Sequence, residues 1–262
     1  MQPEIDLLGL PIKTFGLMFA LGFLAAGAII ARRLKELGKP VDWAYEMVFA
    51  ALAGGLIGAR GYYLLQHTGE LSRDPVGSLV GGSGLVWYGG AIGGAIGMLL
   101  WARWRGFWGL ILADTCAVSL ALGYGIGRIG CQLSGDGDYG KAWDGPWAMA
   151  YPKGTVPTTE TVHPTPIYET VTMGLLALAL WRLRDRVRPG VLFALYLVGA
   201  GTERFLVEFL RRNPASVAGL TAPQVESLVM VLLGVAGLVW LNRRQGGLVL
   251  TPVAAPAART AR

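Results

Sequence analysis

Residues 123–140 read GYGIGRIGCQLSGDGDYG, and the fold turns on how this stretch is read. It follows an apolar run, 107–126, and sets Arg128, Cys131, Ser134, Asp136 and Asp138 among closely spaced glycines where a membrane segment should be leaving the bilayer. Charge in such a place usually has a function. Glycine lets backbone approach a ligand closely, so the stretch predicts Arg128 standing beside free backbone N–H groups at a helix end, a combination suited to phosphate.

Working outward, composition agrees with a membrane setting. Of 262 residues, 53% are hydrophobic and 15% charged, against about 25% charged in soluble domains. The apolar runs lie at 15–31, 44–65, 85–102, 107–126, 166–181, 190–209 and 223–241. Each is long enough to cross or nearly cross a bilayer as a helix, so the expected fold is all-α, with seven transmembrane helices in one domain, 1–245. Positive charge tests the count. Segments that alternate to the inner side hold Arg32, Arg33, Lys35, Lys39; Arg103, Arg105; Arg182, Arg184, Arg186, Arg188; and Arg243, Arg244, Arg259, Arg262, fourteen of the 23 basic residues. That bias places the N-terminus outside and the C-terminus inside. Residues 1–14 are acidic at the start with Lys13 as their one cation, the reverse of a secretory signal. The long outer segment, 127–165, carries Trp143, Trp147, Tyr151 and several prolines, as expected of a small cap at headgroup level. From Gly246 onward, Ala, Pro and Thr predict a disordered tail.

Other function classes fit less well. A net charge of +6 invites a nucleic-acid partner, but no basic patch interleaved with aromatics lies outside short loops, so topology explains the charge. Cys116 and Cys131 lie fifteen residues apart, about 22 Å along a helix, too far for a disulfide. With His67 and His163 as the two histidines, a His/Cys zinc site is improbable, and no metal or organic cofactor is expected. Gly125, Gly127 and Gly130 spell GxGxxG but follow an apolar helix rather than a strand, which argues against a dinucleotide site. Gly81-Gly82-Ser83-Gly84 matches the GxSG of intramembrane serine proteases, yet no later span carries a histidine to activate Ser83. Glycines 89, 90, 93, 94 and 97 of the third run read as a surface for close helix packing.

Three ordered motifs carry a family resemblance: GRIGCQLSGDGDYG at 127–140, HPTPIYE at 163–169 and ERFLVEFLRRN at 203–213, with WYGG at 87–90 in support. Together they resemble the bacterial prolipoprotein diacylglyceryl transferases. The resemblance implies a seven-span inner-membrane enzyme that moves the diacylglyceryl group of phosphatidylglycerol onto the thiol of a lipobox cysteine in a prolipoprotein signal peptide, releasing glycerol 1-phosphate, with its site toward the outer leaflet. It also assigns residues. Arg128 and Arg204 match the family's arginines and are expected to bind the phosphate, with Glu208 orienting Arg204 one helical turn away. Gly127, Gly130, Ser134, Gly135 and Gly140 belong to the signature and are expected near substrate, as is Tyr168. His163 matches HPxxxYE, with either a catalytic part or a structural hydrogen bond to Tyr168 or Glu169. Arg60, near the outer half of the second run, is a further headgroup candidate.

The chain also departs from the pattern. Tyr88 stands where many members have a histidine, and a phenol with pKa near ~10 is a poor base at neutral pH. Cys131 replaces an asparagine, and Asp136 stands near the usual glutamate, followed by Asp138. These departures keep open a lipid-binding or transport protein on the same scaffold, although a transporter should show internal repeats or paired broken helices.

Overall fold

The computed structural model describes residues 1–7, 9–67, 86–216 and 218–250. Ser83 therefore lies outside the described residues, as do 251–262 of the expected tail. Among the described residues are seven helices: α1 Thr14–Glu36, α2 Trp43–Gln66, α3 Trp87–Arg105, α4 Leu110–Ser134, α5 Thr165–Leu183, α6 Val191–Glu208 and α7 Ala222–Gln245. Of these, α1, α2, α4 and α7 are long and apolar enough to cross a membrane. Their outer faces are apolar too: Leu24, Phe49, Ile57 and Leu65 are each about seven-tenths exposed. Helices that are apolar all round need a non-aqueous surround, and this protein has the surface of a membrane protein.

Two short antiparallel hairpins modify the all-α expectation. β1 (Glu4–Leu7) pairs with β2 (Leu10–Lys13), and Gly9, at φ +84, turns the chain while its N–H donates to Asp6 Oδ1 at 2.8 Å. β3 (Met149–Tyr151) pairs with β4 (Thr158–Val162) inside the cap.

α4 is the axis of the bundle, packed against α1, α5 and α6. Its buried residues recur along most of its length, from Leu112 and Thr115 through Ala121 and Gly125 to Cys131 and Ser134. α2 and α3 form a second unit with backbone-to-backbone contact, since a Cβ on Gly58 would overlap the Gly89 carbonyl and one on Gly93 the Gly54 carbonyl. The predicted glycine packing surface is thus present.

At one end, the basic segments gather. Arg33 pairs with Asp185 (2.6 Å) and Arg184 with Glu36 (2.9 Å), joining α1 to the end of α5. Arg105 of α3 pairs with Glu46 of α2, while Asp114 of α4 accepts the N–H groups of Gly190 (2.7 Å) and Phe193 (2.9 Å) at the start of α6. Residues 246–250, expected to be part of a disordered tail, instead return along the 186–188 turn. Leu250 N–H donates to Arg186 O (2.8 Å) and Arg188 N–H to Leu248 O (2.9 Å), because the apolar side chain of Leu248 packs with Val191 and Leu241.

The largest difference from the expected spans lies at the opposite end. α4 does not stop at 126 but continues through Ser134. The extra turns are held by packing: Gly130 faces Met18 and Phe15 of α1, Gly125 faces Thr170 and Met173 of α5, and Tyr151 caps Gln132 by a 2.9 Å hydrogen bond. Gly135, at φ +58, then ends the helix in the left-handed conformation that glycine adopts without strain.

Candidate active site

Because α4 continues past it, Arg128 sits inside the helix and not beside free N–H groups. Within a helix those groups are spent on carbonyls four residues back. The free backbone groups at this end are carbonyls, and the cap consumes them. Ser134 O accepts from Thr155 N–H (2.9 Å) and Thr155 Oγ1 (3.2 Å), and Gly135 O accepts from Val156 N–H (2.9 Å). Any anion here would be held by side chains.

Those side chains form a compact network. α4 contributes Arg128 and Tyr124, α5 contributes Glu169, α6 contributes Arg204 and Glu208, and the turn after α6 contributes Arg211. Asp138 reaches in from the cap. Glu169 is the hub, with no side-chain exposure. Its Oε1 accepts from the Tyr124 hydroxyl (2.8 Å) and lies 3.3 Å from Arg128 Nε and 3.5 Å from Arg204 Nη1, while Oε2 lies 3.6 Å from Arg211 Nη1. Arg128 also donates to Asp138 and to the Tyr124 hydroxyl (2.9 Å). Arg211 pairs with the other oxygen of Asp138. Arg204 Nη2 meets Glu208 Oε2 at 3.0 Å, and Glu208 Oε1 accepts from Asn213 (2.7 Å) and from Thr221 Oγ1 (2.8 Å), the residue that also caps α7.

Three guanidiniums are therefore balanced by three carboxylates. Such an arrangement tolerates burial because every charge has a partner. It is loosely closed at one point: Arg211 Nη1 and Glu169 Oε2, both buried and neither with a hydrogen bond to any described residue, face each other at 3.6 Å. Gly127, preceding Arg128 in the chain, faces open space, where an added Cβ would meet nothing within 4 Å.

The cap tunes its own carboxylates in opposite directions. Burial pushes Asp138 up, but Arg211 and Arg128 override it and hold the carboxyl below its ordinary range. Asp136 has no such partner, and burial together with the Asp138 charge pushes it up. Cys131, Asp136 and Asp138 lie close enough to share a cation. Asp138 is already neutralised by two guanidiniums, so the group offers a divalent ion little net negative charge.

The remaining predicted residues fall into two groups. Ser134, Gly135 and Gly140 shape the joint between α4 and the cap; Gly135 touches Gly154, and an added Cβ on Gly140 would lie 2.6 Å from Leu210 O. His163 is tied into the cap: its ring stacks on Trp143 (4.4 Å between centroids), its Nδ1 lies 3.3 Å from the Tyr168 hydroxyl, and its carbonyl accepts from Gly140 N–H (2.8 Å). Burial pushes its pKa down, toward the neutral ring. Tyr168 in turn accepts from Trp147 Nε1 (2.7 Å). Tyr88 interacts with Glu226 of α7 within the field of Arg204. Arg60 lies over the Tyr63 ring at 5.2 Å, on the helix that packs against α3. Cys116 and Cys131 are both free, as their spacing required.

Glu169, Arg211 and Tyr124 were not singled out in the sequence as site residues. Glu169 closes the HPTPIYE motif and is the lone charge of the run 166–181, a signal that marks function inside a membrane segment. Arg211 lies beyond the apolar run 190–209, where sequence alone places a loop cation, and only the fold shows it to be buried.

Apolar helices closing over three arginines and three carboxylates near one end define a helical membrane protein with a buried charge cluster. The family model described as prolipoprotein diacylglyceryl transferase matches residues 4–240, and the chain belongs to that family. Among curated relatives, a phosphatidylglycerol–prolipoprotein diacylglyceryl transferase of Clostridium tetani (strain Massachusetts / E88) is 34% identical over 239 residues, covering 90% of this chain and 96% of the relative. Proteins of the same name from Geobacter sulfurreducens and Chromohalobacter salexigens are each 34% identical, covering 91% and 93% of this chain and 94% of either relative.

Proposed function

We propose that this protein transfers the diacylglyceryl group of phosphatidylglycerol to the thiol of the lipobox cysteine in prolipoprotein signal peptides, forming a thioether and releasing glycerol 1-phosphate. The observation that carries this reading, beside family membership, is the convergence of Arg128, Arg204 and Arg211 on Glu169, where Arg211 Nη1 and Glu169 Oε2 stand 3.6 Å apart without a hydrogen bond.

The chemistry calls for such a cluster. As sulfur attacks the glycerol carbon, the carbon–oxygen bond breaks and its electron pair stays on the phosphate, whose charge grows. Guanidiniums fixed at that position bind the transition state more tightly than the ground state. Glu169 and Glu208 hold the forks of Arg204 and its neighbours in place, so little reorganisation is needed when charge develops. Gly127 leaves room for lipid beside Arg128, and Tyr168 and Tyr88 flank the approach. His163 keeps the cap on the bundle.

In the membrane, all seven helices of the single domain span the bilayer, with the basic end in the cytoplasm and the arginine site toward the outer leaflet of the bacterial plasma membrane. The gathering of basic segments at one end supports this orientation, and phosphatidylglycerol enters sideways from the leaflet.

The test is direct. Purified protein is incubated with phosphatidylglycerol vesicles and a lipobox peptide, and the expected result is a peptide gaining one diacylglyceryl group with equimolar glycerol phosphate. Peptide left unmodified by folded protein, with lipid bound but not consumed, would refute transfer and leave a lipid-binding protein.

A further inference from the structure

The sequence left the thiol without an evident base, because Tyr88 stands in place of a histidine. The structure offers another group. Between α5 and α6 lies an apolar cleft of about 520 Å³, open at its side and lined by Thr172, Met173, Leu176, Gly199, Leu206 and Leu210 among others. Glu203 is the one carboxylate in its lining. Its Oε1 accepts from Thr172 Oγ1 (3.3 Å), while its Oε2 is buried and accepts no hydrogen bond from the described residues.

Neighbouring residues on a helix point about 100° apart. Arg204 accordingly turns into the cluster, toward Glu169 and Glu208, whereas Glu203 turns into the cleft. The charges and titratable groups that face it are Glu169 and Tyr168 from α5, Arg128 and Tyr124 from α4, and Arg204 beside it on α6; α7 brings Glu226, which faces Tyr88. Other carboxylates are less suited to take a proton. Glu169 and Glu208 are fully buried among guanidiniums, Asp138 is paired twice, and Asp136 lies against Cys131 in the cap.

We propose that Glu203 is the general base of the transfer, its carboxylate taking the proton of the acceptor thiol at the head of the α5–α6 cleft while Arg204 holds the phosphate on the adjoining face. This rests on the function proposed above. The S–H proton moves to Glu203, and the sulfur pair forms the C–S bond. The C–O bond breaks, with its pair retained by the phosphate oxygen. Protonated Glu203 then returns its proton to water or to the departing monoester, so thiol plus diester gives thioether plus monoester. Charge favours this coupling. The six-membered cluster is neutral, Glu203 adds a fourth carboxylate, and neutralising it removes one negative charge as one develops on the phosphate.

The experiment compares wild type with Glu203→Gln, in phosphatidylglycerol vesicles with a lipobox peptide, from pH 6 to 9.5. A thiol of pKa ~8.5 is about one-thirtieth ionised at pH 7, so the Gln variant should lose about 30-fold in kcat there, close the gap above pH 9, and keep its KM for phosphatidylglycerol. With a selenocysteine peptide, whose selenol is ionised at neutral pH, the two proteins should react at similar rates at pH 7. A loss of equal size at every pH, or equal for thiol and selenol, marks a structural role and overturns the proposal, as does full activity of the variant at pH 7. Should the Gln variant not fold, Glu203→Asp decides: a carboxylate drawn back by one methylene should lose activity at pH 7 and close the gap above pH 9, and a loss of equal size at every pH overturns the assignment. Wild-type protein inactive throughout would instead refute the transferase reading itself.

Discussion

Replacing Arg128 with alanine separates catalysis from folding more cleanly than any other change in the cluster. Its three partners do not lose all support. Asp138 keeps Arg211, Glu169 keeps Arg204 at 3.5 Å, Arg211 at 3.6 Å and the Tyr124 hydroxyl at 2.8 Å, and Tyr124 keeps Glu169. Breaking a buried pair outright costs about 3–5 kcal/mol; with every carboxylate still partnered, a loss of about 1.5–3 kcal/mol is expected, as for hydrogen bonds to charged groups. Transfer should suffer more, because removing one donor aimed at a developing anion costs about 2.7–4 kcal/mol, or 10²- to 10³-fold. Arg128→Lys should recover only part of this. Arg128 sends Nε to Glu169, Nη1 to Asp138 and Nη2 to Tyr124, and a single ammonium cannot span three directions. The assay is the initial rate of thioether formation, measured well below the melting temperature of each variant in the same vesicles. Alanine protein that is folded and retains more than about a tenth of wild-type activity, a loss under about 1.4 kcal/mol, would refute the phosphate role. Lysine protein matching wild type would show that charge matters there and the fork does not.

Three further outcomes are expected. Asp136→Asn should raise the melting temperature at pH 7. Burial raises the folded pKa of Asp136, so its contribution is present below the unfolded pKa of about 3.9 and is lost as pH rises through the folded value; thermal scans should show the variant's advantage vanish at acid pH, and an advantage independent of pH would contradict this. Tyr88→Phe should retain substantial transfer activity, because its hydroxyl is engaged by Glu226 of α7; a rate as low as that of Arg128→Ala would place the hydroxyl in the chemistry. Gly93→Ala should destabilise the α2–α3 unit by about 1–3 kcal/mol, the cost typical of overpacking, since its Cβ would overlap the Gly54 carbonyl; unchanged unfolding in a denaturant titration would disprove that contact.

The helices were legible because lipid imposes a simple demand on sequence. An apolar run of sufficient length must close its own backbone hydrogen bonds, so all seven runs, 15–31 through 223–241, reappear as α1–α7. Arg128 and Arg204 were legible for a related reason, being charges where apolar residues were expected. The end of α4 was not. The stretch 127–134 is rich in glycine and polar atoms and, read alone, looks like a loop; it is helical because Phe15, Met18, Thr170 and Met173 fill the space left by Gly125 and Gly130, and none of those neighbours is close in sequence. The same holds for the site. Glu169 meets Arg128, Arg204 and Arg211 across separations of 41, 35 and 42 residues, and whether an acidic residue in an apolar helix is buried against arginines or left in a cleft like Glu203 depends on which face the neighbouring helices cover. Helical period is local and one-dimensional, so sequence determined the elements; the pairing of charges is a property of packed faces, and only the tertiary structure decided it.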